Sequence, residues 1–311
     1  MSIVSVTRIL NEEDIVEAFV RHNAVHVDKM LFLDNGSCDR TLEILHALQA
    51  EGFAITVFQT LAAGFDEVAV NTWLYRLAGG LYRAAWVVFL DADEFIDTPL
   101  LADCLSGAGI LVEHARFVQS AREDAAELIV PVRQRWRVPG GTGVYKMFIR
   151  GGLDVMIEAG NHGAVQNGAR LALPVEQRVT LAHYSRRDGW QNLQKIATGW
   201  LKVLAAGAPA RAHSAHYRSP YETLRDKPHE LLGNPLFLDR EMPEEGMEER
   251  PMAYRGGALR YTVAVDQALR AFRLGLCYAE QLAMQHGRLL DASAEARRVT
   301  EGFQAERKFL F

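Results

Sequence analysis

The chain has 311 residues, 49% of them hydrophobic and 23% charged, with a formal charge of −5. That length buries a sizeable core without disulfides or a structural metal, and the composition excludes global disorder. The acidic balance also argues against a nucleic-acid partner, which calls for a basic patch.

The first hundred residues alternate strand and helix signals. Ile3–Val6 reads as a strand, and Asn11 as the cap of a helix over Glu12–His22. Met30–Leu33 is a short strand ending at Asp34, and Asn35-Gly36 is a turn signal. A helix over Thr41–Ala50, a strand over Ala54–Phe58 and a helix over Glu67–Tyr82 follow. Trp86–Leu90 is unbroken apolar sequence, as in the centre of a parallel sheet. This order predicts an α/β fold with an open sheet, in which ligands bind beyond the carboxyl ends of the strands.

After Asp124 the pattern predicts strands at Leu128–Arg135, Gly143–Arg150, Leu153–Glu158 and Arg178–Tyr184. A helix over Asp188–Leu204 turns Trp190, Leu193, Ile196, Ala197, Trp200 and Leu204 inward. Pro209–Pro251 reads as loop with short helices; its His213, His216 and His229 lack ligand spacing, and the stretch reads as a mobile lid. Ala258–Gly287 and Ala292–Phe311 read as amphipathic helices. They are rich in arginine and read as a packing appendage or a homodimer face, ahead of a peripheral contact with an anionic membrane. Cys38, Cys104 and Cys277 form no CxxC pair, which points to a reducing, cytoplasmic setting. No apolar run approaches the ~20 residues that span a bilayer.

Polar residues gather at the expected strand ends: Thr7, Arg8, Asn11 and Glu12; Asp34 through Thr41; and Asp91-Ala92-Asp93-Glu94-Phe95. Each cluster alone fits a helix cap or a solvated strand exit. Their joint occurrence along one sheet edge points to a site. In Asp-x-Asp the two carboxylates project to one side, a costly charge density unless a cation joins them. Mg²⁺ and Mn²⁺ take such oxygen ligands together with substrate phosphates.

These motifs, Arg8 with Asn11-Glu12, Asp34-Asn-Gly-Ser-x-Asp39-x-Thr41 and Asp91-x-Asp93-Glu94-Phe95, resemble those of GT-A glycosyltransferases, closest to the family 2-like branch. The resemblance implies a Rossmann-like mixed sheet with a helical C-terminal extension. Residues 1–205 would be the catalytic domain, with 1–97 binding nucleotide and 98–205 the acceptor, and 206–311 would hold the loop-rich segment and terminal helices. It implies metal-dependent, inverting transfer from a nucleotide-sugar, a UDP-sugar first, to a saccharide or lipid-linked acceptor in cell-envelope or polysaccharide assembly. Sugar nucleotidyl transfer and non-catalytic nucleotide-sugar binding are the alternatives.

The resemblance also implies roles. Thr7, Arg8 and Glu12 would lie along the nucleoside and phosphates, Asp34 and Asp39 at the ribose and uracil. Asp91 and Asp93 would hold Mn²⁺ or Mg²⁺, completed by His183; a buried structural histidine is the alternative for His183. Lys146 would neutralise a phosphate or be a surface lysine of an edge strand, and Lys195 reads as part of a solvated helix face. The base that takes the acceptor proton would be Glu158, His162 or Asp188. The pattern carries no clean copy of the family's base.

Overall fold

Alternate residues of each central strand go to opposite cores, and that alternation fixes the layers. The computed structural model describes residues 2–64, 66–100, 102–120, 123–207, 217–232 and 246–305. Strands β1 (Ile3–Ile9), β2 (Lys29–Asp34), β3 (Ile55–Gln59) and β4 (Trp86–Phe89) run parallel in the order β3-β2-β1-β4. Val4, Val6, Leu31, Leu33, Val87 and Phe89 face one core, shared with Leu74, Tyr75 and Ala78 of α3 (Glu67–Leu81). Ile3, Ile9, Met30, Phe32, Trp86 and Val88 face the other, shared with α1 (Val16–Asn23) and α2 (Thr41–Ala50).

Beyond β4 the sheet becomes mixed. Next come β5 (Glu94–Ile96), β6 (Gly109–Val118), β7 (Trp136–Arg137), β8 (Tyr145–Arg150), the small β9–β11 hairpin sheet (156–170) and β12 (Val175–His183). β8 pairs antiparallel with both β4 and β6, and β12 lies parallel to β6 and antiparallel to β5. This is the mixed α/β sheet with a helical C-terminal extension that the sequence leads one to expect. Gly151 follows β8 where a Cβ would sit 1.9 Å from the Ala84 carbonyl oxygen. Gly151→Ala is therefore expected to cost on the order of 2 kcal/mol by overpacking. An unchanged urea midpoint would contradict that close approach.

Several expectations are corrected. β6, the longest strand, has no counterpart in the sequence reading, because Glu113, His114 and Arg116 interrupt its apolar pattern. Residues 128–135 are not a strand: a helical turn, α4 (Val130–Arg133), forms there, with a proline in its first positions where a missing N–H costs nothing. Helix α1 begins at Val16 rather than at an Asn11 cap. Asn11 has φ 57°, a conformation asparagine tolerates, and its Oδ1 accepts from the Cys38 amide. In α5 (Gly189–Ala205), Leu193, Ile196, Trp200 and Val203 are buried while Trp190 and Leu204 are exposed.

The expected helix from Ala258 begins only at Gln267 and runs to Ala292. The preceding residues are not helical: the backbone amides of Arg260, Tyr261 and Thr262 are spent on the buried Glu17 carboxylate. Asp266 then caps the helix through the Leu269 amide. The helix turns buried Arg270 onto Asn11 and Asp39, sets exposed Arg273 on the Cys38 carbonyl, and leaves Leu269, Phe272 and Leu276 exposed. Burial and the neighbouring Cys277 thiol push Cys38 up to about 12. A last helix, Ala294–Ala305, closes the described chain. His213, His216 and residues 306–311 lie outside the described residues, and His229 is exposed. No helix among the described residues is long and apolar enough to cross a membrane.

Candidate active site

The exits of β1, β2 and β4 meet at one edge of the sheet. At the end of β1, Thr7 is buried and its hydroxyl has no hydrogen-bond partner among the described residues. Arg8 pairs with Glu67, and the same Glu67 oxygen accepts the Gly160 amide 3.0 Å away. The 158–163 loop is thereby tied to the β1 exit.

Asp34 and Asp39 build loops. Fully buried Asp34 accepts from the Gly36 and Ser37 amides and from Gln59 Nε2. Asp39 Oδ1 accepts from the amide and hydroxyl of Thr41, at 2.9 and 2.6 Å, and Oδ2 meets Arg270 at 3.0 Å. Both carboxylates thus hold the 34–41 loop in shape, and Asp39 ties it to the C-terminal helix.

Charged side chains crowd around the Asp91–Glu94 turn. Lys146 Nζ, on β8, lies 2.7 Å from Asp91 Oδ2, 3.5 Å from Glu94 Oε1 and 3.2 Å from the Gly160 carbonyl. Burial disfavours the Lys146 charge, but Asp91 and Glu94 win and raise its pKa. Asp93, 3% exposed, sits 3.5 Å from His183 Nε2, 3.2 Å from Lys195 Nζ and 3.6 Å from Arg187 Nη1. Burial pushes Asp93 up, yet these cations hold it well below the usual carboxylate range. Burial likewise pushes His183 down, and Asp93 more than reverses it.

Glu94 Oε2 accepts the Asp91 amide and so shapes the turn, while Oε1 lies 3.1 Å from His114 Nε2. Neither Oε1 nor Nε2 has a hydrogen bond among the described residues. A ring nitrogen of His183 completes a group whose ligand atoms lie within 4.8 Å of one another. Glu94 Oε1 and His114 Nε2, buried and without a hydrogen bond among the described residues, form with the His183 ring a donor set that fits a divalent cation.

Arg187, 1% exposed, is the hub behind this turn. It pairs with Glu12 and Asp14 and reaches Asp93. Burial raises Glu12 to about 7 against the pull of Arg187. Lys195 and Lys202 are seven residues apart and so share a face of α5. Burial, with Arg8 adding repulsion, lowers Lys202 to about 8.

On the other side of Lys146, Glu158 pairs with Arg170 at 3.0 Å, and His162 Nδ1 lies 2.6 Å from the Tyr145 carbonyl. Gly160 between them takes φ 73°, and a Cβ there would strike the His162 ring at 2.4 Å. Asp188, by contrast, caps α5 through the Gln191 amide.

The structure therefore brings together Arg8, Glu12, Asp91, Asp93, Lys146, His183 and the loop of Glu158 and His162. It turns Asp34 and Asp39 into their own loop. Lys146 is buried rather than on the surface, and Lys195 meets Asp93 rather than solvent alone. The sequence reading missed His114, which lies on the unrecognised β6, and Arg187, one residue before the α5 cap. Glu94 stood in the motif without a role.

No family model matches the chain, and no curated protein sequence matches it. Solved structures that resemble part of it include a glucosyl synthase. That neighbour is glucosyl-3-phosphoglycerate synthase from Mycobacterium tuberculosis. Its complex with phosphoglyceric acid is 21% identical over 37% of this chain and 44% of its own, with a TM-score of 0.27. Its complex with Mn²⁺, UDP and phosphoglyceric acid is 21% identical over 48% of this chain and 55% of its own, with a TM-score of 0.28. The likeness thus spans about half the length of those chains.

Proposed function

We propose that the chain transfers a sugar, with inversion, from a UDP-sugar to a hydroxyl of a saccharide or lipid-linked acceptor. The reaction would serve cell-envelope or polysaccharide assembly and would need Mn²⁺ or Mg²⁺ at the β4 exit. The observation that carries this reading is Asp93: a buried carboxylate kept ionised by Lys195, His183 and Arg187 where parallel strands end. Such investment in charge at a ligand-binding edge favours a polyanionic substrate over a structural role.

In this reading the 34–41 loop, shaped by Asp34 and Asp39, presents its backbone to the nucleoside. Thr7, Arg8 and Glu12 line the phosphates. Lys146 and Lys195 neutralise the departing diphosphate, with Asp91 and Asp93 orienting them. A bound divalent ion supplies further positive charge to the leaving group. The acceptor oxygen attacks the sugar carbon as the bond to the diphosphate breaks, and Glu158 or His162 takes the acceptor proton.

UDP at a hundredfold excess over its Kd is expected to stabilise the protein by about 2.7 kcal/mol in Mn²⁺. Thermal melting should show a much smaller gain in EDTA. Equal stabilisation in both would contradict a metal-bridged diphosphate.

A further inference from the structure

Glu12, Asp14, Asp91, Asp93 and Glu94 gather at the β4 exit with Arg187, Lys195, Lys146, His183 and Arg270. Asp91 and Asp93, however, are already engaged, the first by Lys146 at 2.7 Å and the second by Lys195, His183 and Arg187. Two further donors lie one step further in, the first of them 3.5 Å from Lys146 Nζ. Glu94 Oε1 and His114 Nε2 are buried, 3.1 Å apart, and without a hydrogen bond among the described residues.

The sheet places a third donor beside them. Glu94 on β5 lies directly opposite His183 on β12. Leu181, two residues before His183, lies opposite His114 on β6. The period of two puts His114, His183 and Glu94 on one face of three adjacent strands. The two imidazole rings are 5.0 Å apart, centroid to centroid.

We propose that Glu94, His114 and His183 are a divalent-cation site, with Asp93 as the carboxylate that orients His183. A histidine ligand commonly has its second nitrogen held by a carboxylate, which fixes the ring. Two imidazoles and one carboxylate suit Mn²⁺, Fe²⁺ or Zn²⁺ better than Mg²⁺, which prefers oxygen. Lys146 stays on Asp91, and Glu94 Oε1 turns from it to the ion. The assignment rests on the metal requirement in the proposed function and is independent of sugar transfer.

The probe is Mn²⁺ alone, added to the full chain without nucleotide. Pulsed EPR of the bound ion is expected to show nitrogen coupling from two imidazoles. His114→Ala is expected to show one, and to bind Mn²⁺ at least about tenfold more weakly. One imidazole in the unsubstituted protein would place the ion on Asp91, Asp93 and His183 and overturn this ligand set while leaving metal-dependent transfer standing. No Mn²⁺ binding, or an affinity unmoved in a folded His114→Ala, also overturns it. Should His114→Ala fail to fold, the imidazole count of the unsubstituted protein decides alone.

Discussion

Asp93→Asn is expected to lower sugar transfer and donor hydrolysis by about a thousandfold, the scale of losing a preorganised electrostatic contact in a buried site. The substitution keeps shape and removes one charge. Lys195 and Arg187 then lose the carboxylate that aligns them, and His183 loses the partner that keeps it charged or oriented. Arg187 retains Glu12 and Asp14, and Lys195 is partly exposed and can regain water. The fold should therefore survive with a stability loss well below the loss of activity. Release of UDP from a UDP-sugar, measured beside a thermal melt, checks both. A folded variant with full turnover would remove Asp93 from the site.

Glu17→Gln is expected to be the most destabilising single change outside the site, at about 3–5 kcal/mol, the range for breaking a buried ion pair. Glu17 is fully buried, accepts three backbone amides from 260–262 and pairs with Arg21 at 2.9 Å. An amide can serve only part of that set. Burial opposes the Glu17 charge, but the amides and Arg21 hold its pKa below the usual value. A depressed carboxyl contributes stability above its unfolded pKa, near 4.3, and loses it as pH falls through the folded value. Urea midpoints should thus fall on acidification in the unsubstituted protein and fall less in Glu17→Gln. Equal urea midpoints at pH 7 would contradict a structural tether.

The first half of the fold was legible because its strands are continuous apolar runs and its helices carry regular stripes. Thr41–Ala50 was placed to the residue. Two of the failures share a cause, which is polar residues with distant partners. β6 carries His114, whose reason for being buried is Glu94 on another strand. The stretch before Gln267 looks helical by periodicity, yet Glu17, some 240 positions earlier in the chain, takes its amides instead. Local pattern cannot report such pairings. The Asp-x-Asp motif was legible as an acidic exit; its cationic surroundings were not, because Lys146 arrives from β8, Arg187 from the loop after β12 and Lys195 from α5.

The net charge of −5 first suggests poor affinity for an anionic ligand. The site reverses that locally, with lysines and arginine set against its carboxylates and donors left over for a metal ion. The most direct measurement is a hydrolysis screen of UDP-, GDP- and dTDP-sugars with Mn²⁺. Cleavage of a UDP-sugar that is abolished by EDTA and by Asp93→Asn is the expected result. No cleavage of any donor in Mn²⁺, or cleavage undiminished in EDTA, would contradict a metal-dependent sugar transferase.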